Sequence, residues 1–290
     1  MTTVLVAGAR GVVGQSLIET AAARDFRVFA ISRRVDSGLG DRTVSWLTAD
    51  LEGPLKAELP PADIWIHAAP LWLLPRHIPT LKSLGIQRII AFSSTSAVTK
   101  TRSCIPAERM VAERLQSAEL SCLQAGSHEN VAVTLFRPTM IYGYSRDQNV
   151  SAIARFISKY GIFPIPRHAL GLRQPVHVND LVEASLAIVE NVRTFGITYI
   201  VSGGEALTYK NMVARVYAGL GKAPRFVQIP TRVYRAIAQG ISLATGSGYL
   251  NADTVDRMSR NFNFSHQLAT RDFDYHPASF LDNPARDLII

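Results

Sequence analysis

Apolar residues in the first half of the chain form short, nearly continuous runs, and segments with helical spacing separate them. Such runs are typical of strands buried on both faces, because both sides of each strand then need apolar side chains. The predicted strands are residues 4–7, 27–31, 44–47, 64–69, 88–92 and 131–136. Strands that alternate with helices predict an α/β fold, a Rossmann-type doubly wound parallel sheet.

The alternation becomes irregular after residue 143. The predicted helices there are residues 151–160, 179–191, 207–220, 231–244 and 251–260, and the predicted strands are 174–178 and 198–201. We expect Asn179 or Asp180 to cap one helix and another to begin near Thr208. We therefore expect residues 1–143 and 174–201 to form the Rossmann unit, and 144–173 and 202–290 mainly a smaller C-terminal substrate-binding lobe.

Three glycines follow the first strand at intervals of three residues, and a helical segment at residues 15–24 comes directly after them. In a dinucleotide-binding unit, these glycines permit the tight turn, the close approach of the pyrophosphate and the packing of helix on strand. The N–H groups at the start of the helix then face the phosphates. The residues predicted to contact the cofactor here are Gly8, Ala9, Arg10, Gly11, Val12, Val13 and Gly14.

Charge and composition narrow the classes of partner. The chain has 290 residues, 47% of them hydrophobic, which is enough for the core of one large α/β unit. The formal net charge is +8, with 25 Arg and 6 Lys. These arginines are scattered and form no polybasic run, so the pattern argues against nucleic acid and favours an anionic cofactor or small-molecule substrate.

Cysteine usage and hydropathy suggest a cellular compartment. Cys104 and Cys122 are too few for a disulfide framework, and no metal site is expected. No apolar run has the length of a membrane span, and the N-terminus lacks the pattern of a signal peptide. We therefore expect a cytoplasmic protein without a membrane partner. A homodimer stays open, because the exposed faces cannot be read from the sequence.

Further motifs occur in a characteristic order along nearly the whole chain. They are residues 92–95 (FSST), 137–143 (RPTMIYG), 174–180 (QPVHVND), 202–208 (SGGEALT) and 274–277 (DYHP). Together with the glycine pattern, they resemble the short-chain dehydrogenase/reductase superfamily in its extended form, typified by nucleotide-sugar epimerases and dehydratases. The resemblance implies a nicotinamide dinucleotide cofactor.

In that superfamily, an acidic residue after the second strand commonly binds the ribose of NAD, and basic residues there bind the 2′-phosphate of NADP. This chain has Arg33 and Arg34 at that point and no carboxylate before Asp36. Since a guanidinium binds phosphate through two parallel hydrogen bonds, we expect NADP rather than NAD. Arg10 could reach the same phosphate. The alternative is that all three are solvated surface arginines.

The resemblance also implies cofactor contacts at the other strand ends. Asp50 and Leu51 would lie beside the adenine, and His67, Ala68 and Ala69 beneath the cofactor. The remaining implied contacts are Ser93, Pro138 and Met140.

The usual proton-transfer pair of the superfamily is missing. It consists of a Tyr and, four residues later, a Lys that lowers the pKa of the tyrosine. None of the nine tyrosines here is followed by such a Lys. Alignment of the helix at residues 106–115 places Arg109 at the Lys position and Ile105 at the Tyr position. Ile105 cannot transfer a proton, although Arg109 could contact the nicotinamide ribose, and Thr95 aligns with the residue that orients the substrate oxygen.

Several residues are candidates to replace this pair. Tyr142 could border the cleft or simply pack in the fold, and His67 could face the nicotinamide or be a hydrogen-bonded structural residue. Cys104 lacks a base that would make it a nucleophile. Trp65 and Trp72 could line an apolar pocket or belong to the core. The candidate catalytic residues are therefore Thr95, Arg109 and Tyr142.

Three functions fit these features. The first is an atypical NADP(H)-dependent reductase acting on a small carbonyl or sugar-type substrate with non-standard proton transfer. The second is a sensor that binds NADP(H) but does not catalyse, and the third is a nucleotide-sugar epimerase or dehydratase.

Overall fold

The computed structural model describes residues 2–34, 44–55, 59–167, 169–230, 232–233 and 258–289. Its strands are β1 (Thr3–Ala7), β2 (Arg27–Ser32), β3 (Val44–Thr48), β4 (Ile64–His67), β5 (Arg88–Phe92), β6 (Ala132–Pro138), β7 (Ile141–Tyr142), β8 (Phe163–Pro166), β9 (Leu172–Arg173), β10 (Val176–His177), β11 (Thr198–Val201), β12 (Leu207–Thr208) and β13 (Phe226–Ile229). Its helices are α1 (Val12–Ala22), α2 (Ile78–Ser83), α3 (Ser96–Thr99), α4 (Pro106–His128), α5 (Val150–Tyr160), α6 (Val178–Ala187), α7 (Tyr209–Gly219), α8 (Gln267–Phe273) and α9 (Pro284–Asp287).

The described residues form a seven-stranded sheet in the order β11-β6-β5-β4-β1-β2-β3, and every neighbouring pair is parallel. The order of strands reverses between β1 and β4, which is the switch point where doubly wound sheets bind ligands. The predicted α/β fold of the Rossmann type is therefore confirmed.

Alternate residues of the central strands supply two separate cores. Val4 and Val6 of β1 pack on one face of the sheet with α1 and α6, whereas Leu5 and Ala7 pack on the other face with α4. Because successive side chains of a strand point to opposite faces, a strand covered on both sides must be apolar throughout. This requirement explains the continuous runs of the first half of the chain.

A third core lies outside the sheet and belongs to the second half of the chain. It includes Ile157 of α5, Val213 of α7 and Phe280. The helix α7 begins next to Thr208, whose hydroxyl accepts the N–H of Asn211, as its sequence predicts. The predicted helices at 231–244 and 251–260 lie almost wholly outside the described residues.

The predicted cap of α6 is wrong. The residue at the N-cap is His177, and its Nδ1 accepts the backbone N–H of Asn179 at 3.1 Å. Asn179 already lies inside the helix, where its side-chain oxygen accepts a hydrogen bond from Tyr144 at 2.9 Å. An imidazole nitrogen thus performs the task that the sequence assigned to Asn179 or Asp180.

Candidate functional site

The carboxyl ends of the seven parallel strands meet at one edge of the sheet. The segments that follow these ends are therefore neighbours, although they are far apart in sequence. They include residues 8–14 after β1, 33–34 after β2, 50–51 after β3, 68–69 after β4, 93–95 after β5 and 139–140 after β6. The structure places most of the residues predicted to contact the cofactor at this edge. Binding of a cofactor by these residues stays a prediction.

The turn after β1 requires glycine for reasons of space. Gly8 has a φ of +78°, and a Cβ there would lie 2.6 Å from the carbonyl carbon of Ala68. A Cβ on Gly14 would fall on the Gly8 carbonyl and lie 2.8 Å from the Cα of Ala9. The turn is thus pressed between the end of β4 and the first turn of α1, as in a phosphate-binding loop.

The N-terminus of α1 suits an anionic group. Gly11 is the N-cap and is exposed, no side chain caps the helix, and the first turn contains no acidic residue. The N–H groups of Val12 and Val13, in that turn, come too early in the helix to find a carbonyl acceptor within it. Unbonded N–H groups and the helix dipole favour a phosphate there, so these residues fit the pyrophosphate of a dinucleotide.

The three predicted phosphate-binding arginines, Arg10, Arg33 and Arg34, are all exposed at the same edge. Arg33 and Arg34 follow β2, the strand that pairs with β1, and the Arg34 backbone N–H donates to the Ser32 hydroxyl. The strand end that precedes them lies next to the glycine turn, because the Ala9 N–H donates to the Ile31 carbonyl at 3.3 Å. This position is compatible with the predicted 2′-phosphate contact.

The loop after β3 is held in place by the turn that precedes α2. Asp50 is exposed, and its carboxylate accepts the N–H of Glu52 at 3.0 Å. Leu51 is buried, and its carbonyl accepts hydrogen bonds from His77 at 2.9 Å and from Arg76. These bonds fix the strand end that the sequence assigns to the adenine.

His67 has a structural role. Its side chain is fully buried, Nδ1 accepts the indole N–H of Trp65 at 3.3 Å, and Nε2 donates to the Pro70 carbonyl at 3.2 Å. Burial lowers the pKa of His67 to about 4, so the ring is neutral at physiological pH. With both nitrogens engaged, its side chain does not face a cofactor, and only the backbone of residues 67–69 stays a predicted contact. Trp65 itself belongs to the core.

Thr95 and Pro138 lie against each other at the ends of β5 and β6. The backbone N–H and the hydroxyl of Thr95 both donate to the Pro138 carbonyl, at 3.1 Å and 3.0 Å. Met140 is half-buried and packs on the core of the second lobe, and its carbonyl accepts the N–H of Val176. Thr95 thus lies at the carboxyl end of the sheet, and its contact with a substrate stays a prediction.

A buried ionic network, which the sequence did not reveal, supports this strand end. Glu119 of α4 accepts hydrogen bonds from the hydroxyl of Ser93 at 2.5 Å and from Nε and Nη2 of Arg137 at 2.8 Å and 2.5 Å. The Ser93 hydroxyl is therefore engaged within the protein. Glu119 follows Ala112 and Leu115 at helical spacing on the buried face of α4, a signal that could have predicted its burial.

Arg109, which the sequence places at the usual Lys position, binds the loop before α4. The helix α4 passes α3 at Gln116, which donates to the Ala97 carbonyl at 2.7 Å. Arg109 lies seven residues earlier, about 10 Å along the helix axis. Its Nη1 donates to the Ser103 carbonyl at 2.7 Å, which anchors the loop that leads into α4.

Tyr142 is packed in the third core. It is 1% exposed, its ring contacts Phe280 and His177 edge-on, and its hydroxyl accepts the N–H of Leu281 at 2.9 Å. Burial raises the pKa of this hydroxyl well above its ordinary value. The geometry favours the packing role over the catalytic role that the sequence left open.

Other candidate groups add no further chemistry. Cys104 is exposed, and burial raises the pKa of the Cys122 thiol to about 12. Within the described ranges, no group of three or more His, Cys, Asp or Glu side chains is arranged to hold a metal ion. No helix in the described part of the chain has the length and apolarity required to cross a membrane.

The strand order and the glycine turn at the switch point define the class of fold. Solved structures of epimerase/dehydratase-type enzymes have the same fold, so the predicted resemblance is confirmed. UDP-glucuronic acid 4-epimerase from Bacillus cereus, in complex with NAD, has a similar structure with a TM-score of 0.76 and 13% identity. The similarity covers 99% of this chain and 95% of that one.

A second solved structure of this type is the epimerase Mth375 from Methanothermobacter thermautotrophicus. Its TM-score is 0.72 with 17% identity, over 99% of this chain and 90% of that one. At these identities the likeness concerns the fold alone.

Curated relatives match only part of the chain. UDP-glucose 4-epimerase from Vibrio cholerae is 23% identical over 142 residues, which are 49% of this chain and 41% of that protein. The mitochondrial NADH dehydrogenase [ubiquinone] 1 alpha subcomplex subunit 9 from Arabidopsis thaliana is 26% identical over 137 residues, 47% of this chain and 34% of that one. The chain thus matches less than half of the length of either relative. No protein-family model matches it.

Proposed function

We propose that this protein is an NADP(H)-dependent oxidoreductase of the epimerase/dehydratase type that acts on a small carbonyl or sugar-type substrate. One observation carries the proposal: the uncapped N-terminus of α1 and the exposed Arg33 and Arg34 lie at the same edge of the sheet. The first feature suits a pyrophosphate and the second a further phosphate on the adenosine ribose. NAD has no such phosphate, so these arginines favour NADP.

Each part of the edge has a defined task in this proposal. The Val12 and Val13 N–H groups bind the pyrophosphate, and Arg33 binds the 2′-phosphate with help from Arg34. Gly8 lets the cofactor approach the end of β4. A bound NADPH would supply a hydride to the substrate.

Thr95 would orient the substrate through one of the substrate's own hydroxyl groups. Since the Thr95 hydroxyl donates to the Pro138 carbonyl, its oxygen can accept a hydrogen bond from a substrate hydroxyl, but it has no second proton for the carbonyl oxygen that is reduced. Reduction of a carbonyl also requires a proton, and Ile105 cannot supply it. The proton would come through water or from a side chain outside the usual pair, which predicts slow turnover.

A specific observation favours a second candidate function, a redox sensor that binds NADP(H) without catalysis. Arg109, at the position of the usual Lys, is committed to the Ser103 carbonyl. A site that retains the cofactor-binding edge of the sheet but lacks the proton-transfer pair would bind NADPH and NADP with different affinities without oxidising NADPH.

The decisive experiment compares NADP and NAD binding by calorimetry in the wild type and in Arg33→Ala. Arg33→Ala should weaken NADP binding by about 1.5–3 kcal/mol, the range for hydrogen bonds to charged groups, and leave NAD binding nearly unchanged. Arg27→Ala is the matched control, because Arg27 is exposed at the opposite end of the same strand. Equal losses for the two cofactors would exclude the 2′-phosphate contact.

A second measurement separates the two functions. NADPH oxidation over a panel of small carbonyls and nucleotide sugars supports the enzyme. If saturated protein shows no turnover with any of them, the reductase is rejected, and a difference in the affinity of NADPH and NADP then supports the sensor.

A further inference from the structure

Three consecutive residues after β7 have a left-handed backbone. Gly143, Tyr144 and Ser145 have φ values of +144°, +54° and +55°. A tyrosine and a serine in this conformation are strained, and such strain persists only where surrounding contacts enforce it. Successive N–H groups in turns of this kind can form a concave site for an anion.

The side chain of Asp287, in α9, lies in this concavity. Its carboxylate is completely buried and accepts the Tyr144 N–H at 3.4 Å, while its backbone carbonyl accepts the N–H and the hydroxyl of Ser145 at 3.2 Å and 3.0 Å. The strained turn is thus held by a residue 142 positions away from Ser145.

Two side chains complete the set of donors. His177 Nε2 lies 3.0 Å from the Asp287 carboxylate, and Arg286 donates to both carboxylate oxygens at 2.9 Å. Because His177 Nδ1 accepts the N–H of Asn179, the ring proton is on Nε2 and points at Asp287. Burial alone would raise the pKa of Asp287, but hydrogen bonds from His177 and Arg286 lower it to about 2.

The turn also contacts two helices, α1 and α6, that cover one face of the sheet. Tyr144 donates its hydroxyl proton to Asn179 of α6, and Arg146 pairs with Glu19 of α1 at 3.2 Å. Tyr144 packs on the core that α1 shares with α6. Asp287, which binds this turn through its carboxylate and its backbone carbonyl, therefore also joins the C-terminal segment to the two helices on one face of the sheet.

We propose that His177, Arg286 and the Tyr144 N–H form a carboxylate-binding site, which the chain fills with its own Asp287 to latch the C-terminal segment onto α1 and α6. The site is built from donors that would remain if the carboxylate were removed. A free carboxylate of the right size should then replace it. This inference is independent of the cofactor proposal.

The test is chemical rescue of Asp287→Ala. Alanine keeps Cβ and removes the carboxylate group, so the space left matches formate, whereas acetate carries a methyl group that would meet the alanine Cβ. We expect a lower thermal midpoint for Asp287→Ala and saturable recovery with sodium formate. Acetate should be less effective, and sodium chloride at equal ionic strength should have no specific effect.

Two further variants serve as controls. Asp282→Ala removes the other, partly exposed partner of Arg286 and should show no specific response to formate. Asp287→Asn keeps the space filled without the charge, so formate should not rescue it. If Asp287→Ala does not fold in chloride, its folding yield from denaturant in formate is compared with that in chloride.

The proposal is overturned if formate, acetate and chloride act alike on Asp287→Ala, in midpoint or in folding yield. A wild-type midpoint for Asp287→Ala would also overturn it, because the turn would then not depend on the carboxylate.

Discussion

The buried network at the end of β5 offers a quantitative test of how this edge is supported. In Glu119→Gln, the side chain keeps its shape but loses its charge, and its amide N–H₂ faces a donor of Arg137 or Ser93. The two carboxylate oxygens of Glu119 accept three hydrogen bonds from these residues. The guanidinium of Arg137 would then lack its counter-charge at a site where Glu119 is 6% and Arg137 24% exposed.

The cost follows from that burial. Breaking a fully buried pair by removing one partner costs about 3–5 kcal/mol, because a charge is left unpaired in a poorly solvated site. Water can still reach about a quarter of Arg137, so we expect a value near the lower end of that range, about 3 kcal/mol. The same contact raises the pKa of Arg137, chiefly through its hydrogen bonds to Glu119.

Urea denaturation of four proteins measures this value. Glu119→Leu combined with Arg137→Met removes both charges and should lie within about 1 kcal/mol of the wild type, since an apolar pair can replace a buried ion pair. Glu113→Gln, an exposed glutamate on the same helix, should change stability by no more than about 0.5 kcal/mol. If Glu119→Gln behaves like Glu113→Gln, the network does not stabilise this edge.

Two other predictions test the carboxyl edge of the sheet, one at the glycine turn and one at the end of β4. Gly14→Ala should abolish dinucleotide binding in calorimetry and destabilise the fold by about 1–3 kcal/mol, because the added Cβ would meet backbone atoms. The control is Gly53→Ala, where the atom nearest to the added Cβ is 3.8 Å away and binding should be retained. Dinucleotide binding by Gly14→Ala would refute the close packing at Gly14. His67, neutral in the fold with its pKa lowered from 6.5 to about 4, contributes stability that is complete above pH 6.5 and is lost as pH falls towards 4, by about 3 kcal/mol. Denaturation between pH 4 and 7 should show a flatter profile for His67→Gln, and an unchanged slope would argue against the buried neutral ring.

Much of the fold could be predicted because its signals are local. A strand covered on both faces is a nearly continuous apolar run, so β5, apolar from Ile89 to Phe92, is found at its predicted residues. Thr208 is a cap that a short-range pattern specifies, and it begins α7 as expected. The spacing of Gly8 and Gly14 is equally local, because the contact between them joins residues six apart, whereas the contact of Gly8 with Ala68 depends on the neighbouring strand.

The use of the polar side chains could not be predicted in the same way. His67 could equally serve a cofactor or the core, and only its bonds to Trp65 and Pro70 distinguish the two roles. Alignment placed Arg109 at the position of the usual Lys, and only the structure shows that its guanidinium donates to the Ser103 carbonyl.

The sequence by itself determined the order of strands and helices, the dinucleotide-type turn at Gly8–Gly14 and the absence of the Tyr and Lys pair. Tertiary structure alone decided which polar groups meet at the strand ends and at the C-terminal latch. His177 and Asp287 are 110 residues apart, and nothing near either residue specifies the other. The physical reason is range: backbone propensity and hydrophobic period act over a few residues, whereas a buried charge is satisfied by whichever donors the packed elements bring to it.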